Sequence, residues 1–177
     1  MRIVPLSEIG HDAVEALLDA AFGRDRFGRT AYRIRTGMRE LPELSLALLA
    51  DDGALIGTLQ SWPVALTDTR GVSHPLVMVG PVAVDPAHQG TGHGRALMDA
   101  VMDRAHAIGA DPLMMIGDPD YYGRFWGFTA EGTGEWDVPG PVERHRLLVH
   151  RLGRAIALPA RGTLGPRGAS AAYRQAS

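Results

Sequence analysis

Apolar and polar positions along the chain follow two periods, and the switches between them predict the elements. "MRIVPL" opens as a short strand. "SEIGHDAVEALLDAAF" then places Ile9, Val14, Leu17, Leu18 and Ala21 on one helical face, with Ser7 where an N-cap is expected. The arginine-rich "GRDRFGRTAYRIRTGMRE" predicts a second, short helix between glycine-containing loops. "ELSLALLADDGALIGTLQSWPVAL" is a hairpin signal, since two apolar runs flank Asp51-Asp52-Gly53. "HPLVMVGPVAVDP" predicts a long strand from 74 to about 84, interrupted at Gly80-Pro81. Proline cannot donate to a sheet ladder, so that pair predicts a bulge or an unpaired stretch.

A helical period runs from about 92 to 108, with Leu97, Val101, Ala105 and Ile108 as its buried stripe and Gly109 as its stop. "DPLMMIGDP" reads as a buried strand, "PDYYGRFW" as one or two helical turns, and "GFTAEG" and "RHRLLVHRL" as the last strands. From 153 onward Gly, Ala, Pro and Arg follow no period. The expected organisation is one domain over 1–152 and an Arg/Gly/Ala-rich tail over 153–177. The fold class is α/β: a mixed central sheet with helices on both faces, whose central β-loop-α-β unit is a parallel crossover.

Composition narrows the function classes. The 177 residues include no cysteine and no lysine. Disulfides, thiolate chemistry and lysine Schiff bases are therefore excluded. No apolar run approaches the roughly 20 residues of a membrane helix, and the N-terminus lacks a signal-peptide core, so a cytoplasmic protein is expected. The net charge of −2 is uneven: residues 151–177 hold five arginines and no acid. Such a tail raises binding to nucleic acid as a function class, but Tyr173 is its one aromatic residue, which weakens that reading. No nucleic-acid or membrane partner and no metal are expected.

The chemistry concentrates in "VAVDPAHQGTGHGRALM". Gly90, Gly92 and Gly94 alternate and lead straight into a helix, whose free N–H groups and dipole favour an anion. From Pro86 to Met98 there is no acid, and Arg95 stands in the first turn. A mononucleotide loop would need GxxxxGK[ST], and there is no lysine. A dinucleotide loop would need GxGxxG, and the third glycine is missing at Arg95 or Leu97. The pattern Q/R-x-x-G-x-G/A fits Gln89 to Gly94.

With that loop, the chain from 1 to about 150 resembles the GNAT N-acetyltransferase superfamily. "GDPDYYGRFWGF" is similar to a GDPxYYxRFGF signature of bacterial predicted N-acetyltransferases, with Trp126 inserted before Gly127-Phe128. The resemblance implies acetyl-CoA as cosubstrate. Its pyrophosphate would lie on Gln89, Gly90, Thr91, Gly92, His93, Gly94 and Arg95, and its pantetheine arm would pair with Val82, Ala83 and Val84 at a splayed strand. The thioester carbonyl would be polarised by a backbone N–H near Val82. The resemblance also implies a tyrosine acid for the departing thiolate, Tyr122 with Tyr121 in reserve. For the base, His74, Glu43 and Asp118 are candidates. Trp62 and Met78 are candidates for lining the acceptor pocket, and Arg29, Arg33 and Arg35 for reading a carboxylate or phosphate on the substrate.

The expected activity is acetyl transfer to the primary amine of a small molecule by direct attack in a ternary complex, since no cysteine can carry the acetyl group. Transfer to a protein or peptide amine, and a non-catalytic acyl-CoA-binding module, are the alternatives. A homodimer is the open option for assembly.

Overall fold

Two long strands form the spine: β3 (Leu55–Asp68) and β4 (Ser73–Val84). A computed structural model describes residues 1–168. Before the spine come β1 (Arg2–Pro5), α1 (His11–Phe22), α2 (Thr30–Ile34) and β2 (Leu46–Leu49). After it come α3 (His93–Ala107), β5 (Leu113–Ile116), α4 (Pro119–Trp126), β6 (Glu135–Asp137), β7 (Leu147–His150) and β8 (Arg161–Pro166). The sheet order is β1-β2-β3-β4-β5-β7, with β8 joined to both β3 and β6. Its ladders are antiparallel except β4–β5 and β6–β8. The parallel β4–α3–β5 crossover is the unit expected around the glycine loop.

Strand alternation assigns the two faces. In β2, Leu46 and Leu48 join the core under α3, while Ala47 and Leu49 join the core under α1. In β4, Val77 and Val79 share the α3 core, and Met78 packs with Ile34 of α2 on the opposite face. Helices therefore cover both faces, as the pattern predicted. The hairpin turn falls at Asp51-Asp52-Gly53, with Gly53 at φ 88°.

Four expectations need correction. "GFTAEG" forms no strand: it contributes a single bridge, Thr129 to Val149, after the left-handed Gly127 that ends α4. Ser7 does not cap α1. It lies in a 3-10 turn, whose Leu6 is buried and donates its N–H to Ser45 O at 3.0 Å, and the helix starts later, after Gly10. Ile108 is exposed, because α3 ends at Ala107 and the next residue turns away from the core.

The boundary between domain and tail also moves. Residues 161–166 form β8, which pairs with β3 from Val64↔Pro166 to Asp68↔Gly162. Arg167 is buried behind it, giving Nη2 to Leu76 O at 2.7 Å and to Asp111 Oδ2 at 2.8 Å. Arg161 pairs with Glu135. The rest of the expected tail, including Tyr173, lies outside the described residues. No helix among those described is long and apolar enough to cross a membrane.

Candidate active site

The interruption at Gly80-Pro81 is a β-bulge. β3 and β4 pair at Ser61↔Val79 and again at Leu59↔Val82, so β4 carries one extra residue between them. The bulge reverses which residues face each neighbour. Before it, Val77 gives its N–H towards β5, to Pro112 O. After it, Asp85 gives its N–H to Ile56 O beside β3, so by alternation Ala83 faces β3 while Val82 and Val84 face the other edge. Gln89 Nε2 agrees, reaching Val84 O from that side at 3.2 Å. β5 pairs with β4 only at Val77 and Met78. Beyond the bulge the two strands part, and the main chain of Val82 and Val84 lines an open edge.

Two distant side chains hold the bulge. Trp62 Nε1 and Arg35 Nη1 both donate to Gly80 O, each at 2.9 Å. The Arg35 guanidinium lies 4.0 Å from the Tyr32 ring centroid and 4.0 Å from that of Trp62. Burial lowers its pKa to about 10, which still leaves it charged at neutral pH. Sequence reasoning placed Arg35 and Trp62 near the acceptor but found no link to Gly80.

The glycine loop follows directly. Asp85 Oδ1 accepts from Ala87 N at 2.8 Å and caps the turn after β4. Gly90 and Gly92 have φ of 78° and 84°, and Gly92 is the left-handed N-cap of α3. The helix ladder begins with Ala96 N to Gly92 O at 3.0 Å. The N–H groups of His93, Gly94 and Arg95 are thus free of it, as helix geometry requires. Among the described residues, those of Gly90 and Gly92 have no backbone acceptor either. Thr91 Oγ1 donates to His88 O at 2.7 Å, so the Thr91 and Gln89 side chains bond to neighbouring carbonyls and build the loop. This geometry fits a pyrophosphate on the loop and an amide-bearing arm along the edge.

The two tyrosines have different surroundings. Tyr122 is half-buried and joins the α3 core, with its ring near Phe128 and Trp126. Its pKa is raised above that of a free phenol, first by burial and then by Tyr121 and Asp118; Arg146 opposes the shift. Gly117 makes this seat possible, since a Cβ there would lie 2.6 Å from Tyr122 Cδ2. Tyr121 is exposed and packs edge-on to Phe125. The inserted Trp126 ends α4 and ties it to α3, donating Nε1 to Asp99 Oδ1 at 2.8 Å.

A cavity of about 1000 Å³ opens beside the bulge. Met78 to Val82 form one wall and Ile116 the end of β5; α2 and the segment 141–146 close the sides. Thr30 Oγ1 donates to Pro141 O at 2.6 Å across that seam. Arg29 and Arg35 line the cavity, whereas Arg33 holds the seam through Pro139 O. Trp62 lines a second cavity of about 670 Å³, on the far side of the Tyr32–Arg35 wall.

None of the base candidates lines the main cavity. His74 pairs with Asp68 at 3.1 Å near the β3–β4 turn. Glu43 sits in a 3-10 turn before β2, and Asp118 caps α4 by accepting from Asp120 N at 3.0 Å. The carboxylates on the cavity wall are Asp25 and Glu143, with Arg146 beside the latter. Sequence reading missed all three, because no local pattern marks a loop residue that only the sheet order brings to a site.

An open strand edge running into an anion-binding helix N-terminus defines a protein that holds a long ligand with a phosphate end. Comparison with known proteins gives the class its family. The family model described as "Acetyltransferase (GNAT) domain" matches residues 2–129. The uncharacterized N-acetyltransferase YhbS of Escherichia coli K12 is 32% identical over 149 residues, spanning 82% of this chain and 84% of that protein. The chain belongs to the GNAT family and is an N-acetyltransferase. The crystal structure of Escherichia coli YhbS in complex with CoA superposes with a TM-score of 0.67 at 27% identity, covering 94% of this chain and 88% of that one. A GNAT acetyltransferase from Brucella melitensis, in complex with acetyl-CoA, shares the fold at a TM-score of 0.62 and 24% identity, covering 96% and 97%.

Proposed function

We propose that the protein moves the acetyl group of acetyl-CoA to the amine of a small molecule by direct attack in a ternary complex. The carrying observation is that Val82 belongs both to the open edge of β4 and to the wall of the cavity. A ligand arm paired along that edge brings its thioester to the cavity mouth. The related YhbS structure is a complex with CoA, which supports CoA as the ligand class. The loop N–H groups from Gly90 to Arg95 hold the pyrophosphate, and Val82 and Val84 pair with the arm.

The amine enters from the cavity and attacks the thioester carbonyl, whose oxygen is met by Val82 N–H. The C–N bond forms and the C–S bond breaks. The amine proton leaves to water or to a wall carboxylate. The departing thiolate takes a proton from the phenol of Tyr122, whose protonated form burial favours.

The test is thiol release from acetyl-CoA over a panel of amines, with CoA affinity measured alongside. Tyr122→Phe is expected to lower kcat about 100-fold or more while CoA still binds. CoA binding with no release on any amine would make the protein a non-catalytic module. Release on peptides alone would move the acceptor to a protein amine. Unchanged kcat in Tyr122→Phe would remove the acid.

A further inference from the structure

The cavity beside Val82 is lined by four arginines, Arg26, Arg29, Arg35 and Arg146, against two acids, Asp25 and Glu143. Arg26 is neutralised inside the protein by Glu15, at 2.6 Å, and by Asp19. The other three are not. Arg29 gives Nη2 to Phe22 O at 3.0 Å, and Arg146 gives Nε to Gly117 O at 3.4 Å. Arg35 gives one N–H to Gly80 O. Among the described residues, none of these three forms an ion pair with a carboxylate; the arginine pairs belong to Arg24, Arg26, Arg70, Arg161 and Arg167.

Arg35 is the telling case, at 6% exposure. Buried charges are ordinarily paired, because burial strips their hydration. The Tyr32 and Trp62 faces and one carbonyl soften that cost, and Glu15, already bound to Arg26, acts on Arg35 only from beyond ion-pair distance. The CoA phosphates do not supply it either, since no residue from Gln89 to Arg95 lines this cavity.

Resting on the acetyl-transfer reading above, we propose that the acceptor is a small amine that also carries an anionic group, a carboxylate or a phosphate, seated by Arg29, Arg35 and Arg146. Guanidinium groups suit both anions through paired N–H donors. Asp25 and Glu143 give the cavity the opposite charge for the amine end. The two ends of such a substrate then orient it, with nitrogen towards Val82.

The experiment compares kcat/KM for matched acceptors at saturating acetyl-CoA and fixed pH. The pairs are 4-aminobutyrate with butylamine, 5-aminovalerate with pentylamine, and O-phosphoethanolamine with ethanolamine. The anionic member of at least one pair is expected to be favoured by about tenfold or more. The carboxylate and phosphate arms tell which anion is read. In Arg146→Gln and Arg29→Gln, both at exposed positions where substitution ordinarily costs little, that ratio is expected to fall towards one. Thermal unfolding checks that both variants fold.

Equal or better turnover of the neutral amines overturns the proposal and leaves acetyl transfer standing. So does a preference that persists unchanged in both variants. No transfer to any amine, with CoA still bound, overturns both readings together.

Discussion

Removing the two donors from the Gly80 carbonyl tests whether the bulge is held from outside β4. Trp62→Phe takes away one neutral hydrogen bond, 2.9 Å long, and leaves Arg35 on the same oxygen. The expected cost is about 1 kcal/mol, because the acceptor stays satisfied. Arg35→Met takes away a charged donor, worth about 1.5–3 kcal/mol. It also removes a cation from two ring faces, at about 0.5–1 kcal/mol each where exposed and more where desolvated. A total of roughly 2.5–5 kcal/mol follows, less whatever the methionine recovers by packing.

Only the double variant leaves the half-buried oxygen bare, which costs a further 1–3 kcal/mol or so. The double variant is therefore expected to lose more than the sum of the singles by about 1–3 kcal/mol. Urea unfolding of the four proteins gives this coupling. The catalytic readout is kcat at saturating acetyl-CoA. The bulge sets which N–H groups face the open edge, so Arg35→Met is expected to lower kcat about tenfold, equivalent to 1.4 kcal/mol. Additive stabilities within about 0.5 kcal/mol, or an unchanged kcat in Arg35→Met, would refute the idea that these side chains set the bulge.

Further outcomes follow from local geometry. Gly117→Ala puts a Cβ 2.6 Å from the Tyr122 ring. It is expected to destabilise by about 1–3 kcal/mol and to lower kcat by displacing the phenol; a wild-type unfolding midpoint would disprove the contact. Gly92→Ala forces a side chain into the left-handed N-cap at φ 84°, at about 1–2 kcal/mol. Calorimetry is expected to show weaker CoA binding, and an unchanged Kd would exclude the loop as the phosphate seat. Asp68 accepts from Val72 N at 2.9 Å, from His74 at 3.1 Å and from Arg70 N at 2.8 Å, which holds its carboxyl well below the usual carboxylate range. The folded state therefore releases this proton more readily than the unfolded state. The stability it contributes is complete above the ordinary Asp pKa of about 3.9 and is lost as pH falls through the folded value. Asp68→Asn is expected to flatten the acid limb of urea midpoint against pH below about pH 4, and a limb as steep as wild type would count against it.

Strong periods made most of the fold legible from residues alone. The Asp51-Asp52-Gly53 hairpin and α3 announce themselves within a single window of sequence. β8 does not, although it alternates: its inward positions are Gly162 and Leu164, and a glycine hides the period. Glycine is there because the strands approach closely, and a Cβ at 162 would lie 2.6 Å from Thr67 O. The feature that makes β8 fit is thus the one that made it read as tail. β6, three residues long with one buried side chain, is too short to carry a period at all.

The site divides along the same line. The anion loop is written in consecutive residues, so spacing and the missing acids reveal it. The bulge is half written, because Gly80-Pro81 marks where the ladder breaks but says nothing of what holds it. Arg35 and Trp62 come from 45 and 18 residues away, and only folding brings them to one carbonyl. That convergence gives Arg35 two tasks at once. It holds the Gly80 carbonyl at the bulge, and it places a charge in the cavity from which, on the proposed reading, the amine approaches. The proposed reading gives two separate anion seats, the loop for the phosphates of the donor and the arginine-lined cavity for the acceptor, with the open edge of β4 between them. Because each seat is built from its own residues, donor and acceptor affinities can be weakened separately. Gly92→Ala acts on the first and Arg146→Gln on the second, and their effects on CoA binding and on amine preference are expected to combine additively.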